Sequence, residues 1–283
     1  LGLNSFYRAN EKEPVRAYGK DFDQNGSYDA LFSLYLPDYN ANTVRKAFPA
    51  HTRDDLMRQI IEVRAKFKTY EAFGKADFSK LLSPEQLTNA VILEANTFAS
   101  CYLHNKGNGL FELIPLPAEA QLSYINGMVA DDFDNDGNLD IVLNGNDYGT
   151  EVSVGRYDAM HGLFLKGNGR GGFNALTILE SGVFLPGNGK SLIKLKSKSG
   201  QYLLVAAQNK GPLKALLCKA TMRLMAVKSD DLYAILKLKN GKLRKEEFNY
   251  GASFLSQSSR FLTVNNQVAE LTIFNTKGES RKE

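Results

Sequence analysis

Short apolar runs separated by turn residues dominate the chain. The clearest runs lie at 30–36, 141–143, 162–165 and 202–206. The dipeptide Asn-Gly, which tolerates the positive φ angles of tight turns, occurs seven times. These pairs begin at Asn25, Asn108, Asn126, Asn144, Asn168, Asn188 and Asn240. The pattern predicts a mainly β protein in which short strands are joined by hairpins.

One segment follows a helical period instead. Four apolar residues fall on one helical face: Leu56, Ile60, Val63 and Phe67. Thr52 can cap a helix whose third residue is Asp55, a capping box with Asp in the usual place of Glu. Ser83 can cap a second helix that has proline at its first position and Gln86 at its third. We therefore expect a helical insertion between strands over about residues 40–93.

Composition and charge exclude some classes of partner. The 283 residues are enough for one large or two ordinary domains. A formal net charge of +4, from 35 basic and 31 acidic residues, is too balanced to indicate a polyanion, so no nucleic-acid binding is expected. No apolar run approaches the roughly 20 residues that cross a bilayer, so no membrane span is expected.

The cysteines and the first residue bear on the cellular compartment. Cys101 and Cys218 lie far apart in apolar stretches and are expected to be buried thiols that act as small hydrophobic groups. A single bridge between them is the alternative in an oxidising compartment. The chain begins at Leu1 without a visible signal peptide. From this we expect that the N-terminal part of a longer protein is missing.

Two acidic loops carry the strongest chemical signal. The first reads Asp21-x-Asp23-x-Asn25-Gly26-x-x-Asp29, and the second reads Asp132-x-Asp134-x-Asp136-Gly137-x-x-Asp140. Calcium takes about six to eight oxygen ligands. Side-chain oxygens at positions 1, 3, 5 and 9 can converge on one point if the chain curls around it, and glycine at position 6 permits the sharp turn. The carbonyl groups at position 7 can add a further oxygen.

This pattern predicts two calcium sites. The expected ligands are Asp21, Asp23, Asn25, Ser27 and Asp29 in the first loop, and Asp132, Asp134, Asp136, Asn138 and Asp140 in the second. The second loop has one more carboxylate and is expected to bind more tightly. An EF-hand would need Glu at position 12, where these loops have Phe32 and Leu143. A pair of metal-free Asp/Asn-rich turns is the alternative, and the repeated spacing favours calcium.

The two loops belong to a longer internal repeat. Residues 18–29 align with residues 129–140, which lie 111 positions further along, and an apolar strand follows each segment. Without the helical insertion the period would be about 57 residues, slightly longer than the ~40 to 50 of known propeller repeats.

These loops resemble the calcium loop of the FG-GAP or VCBS repeat, whose members form β-propeller blades. Residues 162–173 and 102–111 are similar to the ends of such blades. Residues 250–260, followed by strands and a turn at 276–278, resemble the ASPIC/UnbV domain. The resemblances imply a C-terminal fragment of a larger secreted bacterial protein. A fragment of a propeller would expose a strand edge, which permits an edge-mediated dimer.

The expected fold class is therefore mainly β, with partial β-propeller blades of the FG-GAP/VCBS type, an α-helical insertion and a small C-terminal β domain. The expected domains are a blade with the first calcium loop (1–39), the helical insertion (40–93), blades with the second calcium loop (94–216) and an ASPIC/UnbV-like β domain (217–283).

Other patterns in the chain give weaker signals. Gly167-x-Gly169-x-x-Gly172 matches the dinucleotide-binding fingerprint, but residues 173–179 have a β pattern where that fingerprint needs a helix. A hairpin is therefore expected there. The three histidines, His51, His104 and His161, show neither metal-site nor triad spacing, and no Gly-x-Ser-x-Gly occurs. We expect no catalytic residue in this chain.

The sequence thus favours a calcium-binding module over an enzyme. Calcium would stiffen the blade turns, and loops at one face would bind a protein or glycan at the cell surface. The expected location is extracellular, at the cell surface or associated with the outer membrane. The alternative is an accessory part of a polysaccharide-acting enzyme whose catalytic residues lie outside this fragment.

Overall fold

The computed structural model of the protein describes residues 2–39, 41–152, 154–251 and 256–283. Strands make up 43% and helices 12% of it, which confirms the prediction of a mainly β protein. Its sheets are antiparallel, and none of them closes on itself. The chain divides into two units, one of residues 5–99 and one of residues 100–283 together with the N-terminus up to Asn4.

The unit 5–99 contains a four-stranded sheet. Its strands are β1 (Val15–Lys20), β2 (Asp29–Asp38), β3 (Ala41–Pro49) and β4 (Val91–Ala95). The order in the sheet is β3-β2-β1-β4. The first three strands are consecutive hairpins, and β4 returns to pair with β1 after a helical segment.

Five short helices connect β3 to β4. They are α1 (Arg53–Gln59), α2 (Glu62–Lys66), α3 (Tyr70–Gly74), α4 (Phe78–Leu81) and α5 (Pro84–Leu87). As predicted, Thr52 caps α1, because its Oγ1 accepts a hydrogen bond from Asp55 N at 3.2 Å. Ser83 and Gln86 form the capping box at the start of α5. The four apolar residues of the predicted helical face, Leu56, Ile60, Val63 and Phe67, are all buried.

The helical segment is shorter than predicted. It covers residues 53–87, whereas the predicted range 40–93 begins with β3 and ends with β4. Half of the described side chains of β3 are exposed and only Phe48 is buried, so the strand depends largely on backbone pairing with β2 and shows little alternation of apolar and polar residues. The apolar residues at the start of β4 are likewise exposed, so they gave no alternating pattern.

In the described part of the unit that includes residues 100–283, the strands form five separate groups. A hairpin pairs β5 (Cys101–Gly107) with β6 (Leu110–Pro115). A four-stranded sheet has the order β10-β9-β8-β7, formed by β7 (Ile125–Asp131), β8 (Asp140–Gly145), β9 (Leu163–Gly167) and β10 (Phe173–Leu176). A three-stranded sheet contains β11 (Gly189–Lys196), β12 (Tyr202–Gln208) and β13 (Lys214–Leu217).

The last two groups lie near the C-terminus. β14 (Arg223–Ala226) pairs with β17 (Phe261–Val264). The final sheet has the order β16-β15-β18-β19, formed by β15 (Asp231–Leu238), β16 (Leu243–Glu247), β18 (Val268–Asn275) and β19 (Ser280–Lys282). Two helical turns complete the unit, a 3₁₀ helix (Ala118–Gln121) and α6 (Ile178–Ser181). Residues 252–255 of the segment compared with ASPIC/UnbV lie outside the described residues.

One hydrophobic core joins three of these groups. The β7–β10 sheet, the β11–β13 sheet and the β14–β17 pair contribute to it. Its members include Val129, Val142, Phe164, Leu192, Tyr202, Leu204, Leu224 and Phe261. A smaller cluster that includes Leu236, Leu262 and Leu271 fills the C-terminal sheet. Phe133, the second residue of the candidate metal loop at 132–140, is also a member of the first of these cores.

The glycine-rich segment 167–172 is a hairpin turn, as predicted. It joins β9 to β10, and Gly167 pairs with Phe173 across the turn. No helix within the described residues is long and apolar enough to cross a membrane. Both cysteines are half-buried rather than fully buried.

Candidate metal centre

The two acidic loops close their hairpins in the same register. The first joins β1 to β2, and its last paired residues are Lys20 and Asp29. The second joins β7 to β8, and its last paired residues are Asp131 and Asp140. In both hairpins the same number of residues lies between the closing pair, so equivalent positions of the two loops stand at equivalent points of the turn.

The backbones of the two loops bend at the same positions. Position 4 has a positive φ in both, 58° at Gln24 and 63° at Asn135. Position 6 also has a positive φ, 88° at Gly26 and 89° at Gly137. An L-residue with a side chain rarely adopts such angles, whereas glycine does so without steric strain. The two motifs, which share the same residue spacing, therefore also share one loop conformation.

The first loop holds itself together through hydrogen bonds from backbone amides to side-chain oxygens. Asp21 Oδ2 accepts from Gly26 N at 2.9 Å, and Asn25 Oδ1 accepts from Ser27 N at 2.7 Å. Asp29 Oδ2 accepts from Phe22 N at 2.9 Å, which draws the last loop residue back over the start.

The second loop repeats these bonds position by position. Asp132 Oδ2 accepts from Gly137 N at 2.9 Å, and Asp136 Oδ1 accepts from Asn138 N at 2.8 Å. Asp140 Oδ2 accepts from Phe133 N at 3.2 Å. Because each amide is bound to a carboxylate or amide oxygen, the loop curls and brings several acidic side chains to its inner side.

Each loop gathers three carboxylates that could hold a metal ion. In the first loop these are Asp21, Asp23 and Asp29, and in the second they are Asp132, Asp134 and Asp136. Within each group, one oxygen of every carboxylate lies within 4.8 Å of the others. Such a group has the hard oxygen donors that alkaline-earth cations prefer.

The remaining predicted ligands have other positions. Both oxygens of Asp140 accept backbone hydrogen bonds, Oδ2 from Phe133 N and Oδ1 from Gly167 N at 2.9 Å. Asp140 therefore also ties the second loop to the end of β9. The side-chain oxygen of Asn138 faces Gly169, where an added Cβ would lie only 2.1 Å from it. For Ser27 and Asn138 the sequence prediction concerned the backbone carbonyl, and it stays a prediction.

Three residues distant in the sequence surround the second loop. The ammonium group of Lys166 forms an ion pair with Asp134 and lies 3.4 Å from Asp136 Oδ2. Arg244 Nη1 lies 3.7 Å from Asp132 Oδ2, and Asn265 Nδ2 donates to the same oxygen at 2.6 Å. Sequence reasoning missed all three, since no local spacing connects them to the loop.

Burial raises the pKa of several acidic groups in the loops. It raises the pKa of Asp140 to about 6, even though the amide of Gly167 opposes this shift. Burial also raises the pKa of Asp132 and that of Asp29. The hydrogen bond to Asp134 raises the pKa of Lys166. Several carboxylates of the loops thus lie where burial disfavours their charged form. A bound cation would offset this cost of desolvation.

One carboxylate oxygen in the second loop has no partner. Asp132 is only 2% exposed, and its Oδ1 is buried without a hydrogen bond. A buried charged oxygen without a partner is strongly disfavoured. In the first loop the equivalent residue, Asp21, is half-buried.

Comparison with known proteins gives no further assignment, because no family model and no curated protein matches this chain.

Proposed function

We propose that the protein is a calcium-binding β-rich module in which the loops 21–29 and 132–140 each hold one Ca²⁺. The observation that carries this proposal is the buried Oδ1 of Asp132, an unpartnered carboxylate oxygen within a group of three carboxylates. A divalent cation would give this oxygen a partner, which the described residues do not provide.

The donor set favours calcium over other metals. Each group consists of carboxylates, with no histidine or cysteine among the described residues that form it. Zinc and copper prefer nitrogen and sulfur ligands. Magnesium demands a nearly regular octahedron and retains its waters, whereas calcium accepts irregular sets of backbone and side-chain oxygens. A curled loop that presents carboxylates and backbone carbonyls to one point would suit the larger ion.

The role of the loop residues follows from their positions. Asp132 and Asp134 would bind the cation directly, and Asp140 would hold the loop closed through its two amide hydrogen bonds. Lys166 would compete with the ion, because its ammonium group already neutralises Asp134 and Asp136. Because this ion pair is exposed, the competition would weaken calcium binding only modestly. We propose that the module works at the cell surface or outside the cell, where calcium modules have dissociation constants of about 10⁻⁴–10⁻³ M.

We further propose that the β1–β4 sheet and the β7–β10 sheet are propeller blades of the FG-GAP/VCBS type. A blade is a four-stranded antiparallel sheet. The β7–β10 sheet runs in chain order, and both loops lie at the same register between the strands that flank them. In this proposal calcium stiffens equivalent turns, and the C-terminal sheet is the ASPIC/UnbV-like domain. The module then serves to bind a protein or glycan.

Thermal unfolding of the whole chain tests calcium binding directly. A ligand that binds only the folded state raises stability by about 2.7 kcal/mol at a hundredfold excess over its dissociation constant. We expect a higher Tm in calcium than in EDTA, with a much smaller rise in magnesium. The double variant Asp132→Ala/Asp134→Ala should lose most of the calcium-dependent rise in Tm. The double variant Asp21→Ala/Asp23→Ala should lose the smaller part that comes from the first loop.

A matched control separates calcium binding from a general effect of charge. The variant Glu151→Ala/Asp158→Ala removes two exposed carboxylates outside the loops, and it should keep the full calcium response. If the unmodified protein had the same Tm in EDTA and in calcium and retained no calcium after dialysis, both loops would be metal-free turns.

A further inference from the structure

A cleft lies beside the second acidic loop and has features that calcium binding does not use. It has a volume of about 360 Å³, in the range of small-molecule sites. It is bordered by β5, by the loop 132–140, by the glycine-rich turn 167–172 and by the start of β16. All of these segments belong to the same unit of the chain.

Three cationic side chains line this cleft: Arg170, Lys242 and Arg244. Arg170 and Lys242 are exposed, and neither pairs with a carboxylate in the part of the chain that the structure describes. Arg244 is more buried and forms two ion pairs, from Nη2 to Glu246 Oε1 at 2.9 Å and from Nη1 to Asp132 Oδ2 at 3.7 Å. Its Nε and Nη1 are buried without a hydrogen-bond partner. The cleft therefore offers guanidinium donors and an ammonium group to an anion.

Aromatic side chains also line this cleft. Tyr102 and Phe173 pack edge to face, with ring centroids 5.7 Å apart. His104 lies next to Tyr102 at a centroid distance of 5.8 Å, and its Nδ1 is buried without a partner. An aromatic ring provides an apolar surface for the C–H face of another ring, and the imidazole nitrogen provides a polar group for a hydroxyl.

The glycine-rich turn shapes the cleft but is not a phosphate cradle. The amides of Arg170 and Gly172 both donate to Asn168 Oδ1, at 2.8 and 3.0 Å. They are therefore not free to bind phosphate oxygens, as the amides of a phosphate-binding loop would be. A Cβ at Gly169 would lie 3.2 Å from Lys242 Nζ, so glycine allows this ammonium group to rest against the turn.

We infer that this cleft binds an acidic saccharide, a sugar ring that carries a carboxylate. The carboxylate would meet the exposed side chains of Arg170 and Lys242, while the C–H face of the ring would pack on Tyr102. Ring hydroxyls would reach His104 Nδ1. This inference gives the proposed binding role a ligand class, but it does not require calcium in the loop.

Calorimetric titration of the whole chain with trigalacturonate tests the inference. The matched probe is its methyl ester, which has the same sugar backbone without the charges. In EDTA we expect binding of the acid and at least about 10-fold weaker binding of the ester. Working in EDTA separates this result from calcium binding, so the two proposals fail independently.

Variants identify the surface that binds. Arg170→Gln/Lys242→Gln should weaken binding of the acid by about 10-fold or more, because two charge-assisted contacts are lost. Tyr102→Leu should weaken it while the cations remain. The control Lys198→Gln/Lys277→Gln removes two exposed lysines from other turns of the same unit and should bind as the unmodified protein does. Circular dichroism verifies that each variant is folded.

Several outcomes would overturn the inference. These are the absence of binding at millimolar trigalacturonate, equal binding of the ester, and equal weakening by the control variant. Benzoate and inorganic phosphate serve as further probes. If benzoate bound as tightly as the sugar acid, an aromatic acid would be the ligand class, and if phosphate did, the sugar ring would contribute nothing.

Discussion

The side-chain amide of Asn265 donates a 2.6 Å hydrogen bond to Asp132 Oδ2, although the two residues lie 133 positions apart. Asn265 follows directly after β17, and Asp132 is the first residue of the second acidic loop. The C-terminal part of the chain therefore helps to fix the proposed calcium ligand. Because the other oxygen of Asp132 has no partner, the amide leaves one oxygen free for a cation.

Replacing Asn265 should make stability depend more strongly on calcium. Asn265→Asp places a second carboxylate against Asp132, and we expect it to lower the free energy of unfolding by about 2 kcal/mol in EDTA. Calcium should recover part of this loss, since a divalent ion neutralises both groups. Asn265→Ala, which loses only the hydrogen bond, serves as the control in urea titrations. If both variants lose the same amount with and without calcium, the loop does not bind the ion through Asp132.

Lys166 should weaken calcium binding in the unmodified protein. Its ammonium group pairs with Asp134 and Asp136, and its side chain is 41% exposed. An ion pair this exposed contributes little, so we expect Lys166→Met to tighten calcium binding by roughly 2- to 5-fold. Lys237→Met is a matched control, because Lys237 pairs with Glu270 at 2.7 Å away from the loop. Calcium titration by calorimetry distinguishes the two variants, and unchanged affinity in Lys166→Met would argue against competition.

A buried network should make the hydroxyl of Tyr202 important for stability. The carboxylate of Asp131 is only 2% exposed and accepts a hydrogen bond from Tyr202 Oη at 3.1 Å. It also accepts a hydrogen bond from Thr263 Oγ1, and its Oδ2 lies 3.4 Å from Lys194 Nζ. Tyr202→Phe removes one donor from a buried carboxylate and should lower the free energy of unfolding by about 2 kcal/mol. Tyr28→Phe alters a tyrosine that is 68% exposed and should change stability little. Urea denaturation compares the pair, and equal small losses would show that the network adds little.

The ion pair of Asp231 and Arg281 should make stability depend on pH. Asp231 is 1% exposed, and Arg281 Nη2 donates to its Oδ2 at 2.7 Å. The hydrogen bonds from Arg281 lower the pKa of Asp231, with further help from the amide and charge of Lys228. A carboxyl with a lowered pKa in the folded state stabilises the protein above its unfolded pKa of about 3.9. This contribution is lost as the pH falls through the folded-state value.

Arg281→Met should therefore be about 2 kcal/mol less stable at pH 7, because it leaves a buried carboxylate without its cation. The loss should not be larger, since Arg281 is partly exposed and solvent weakens the ion pair. The difference from the unmodified protein should shrink below about pH 4, where Asp231 of the unfolded chain begins to take up its proton while the folded protein still holds the carboxylate. Urea denaturation at pH 7 and at pH 3 measures both differences. A difference that is the same at both pH values would mean that Arg281 acts through packing alone.

Local chemistry was predictable from the sequence by itself. The capping residues Thr52 and Ser83, the hairpin at 167–172 and the two acidic turns each depend on groups within about ten positions of one another. The bonds that shape the loops, such as Gly137 N to Asp132, join residues inside the motif itself. Such short-range bonds require only suitable residues at a suitable spacing, so the amino-acid sequence was sufficient to predict these local features.

Tertiary structure alone decided what surrounds these local features. Arg244 and Asn265 reach the second loop because strands far apart in the sequence pack around one core, and no spacing in the chain encodes that contact. β3 depends on pairing with the backbone of β2, because its side chains, of which only Phe48 is buried, do not alternate between apolar and polar. The cleft with Tyr102 and Lys242 likewise combines segments that meet only in the folded unit. Turn geometry is a short-range property of the chain, whereas charge compensation and clefts depend on which strands become neighbours.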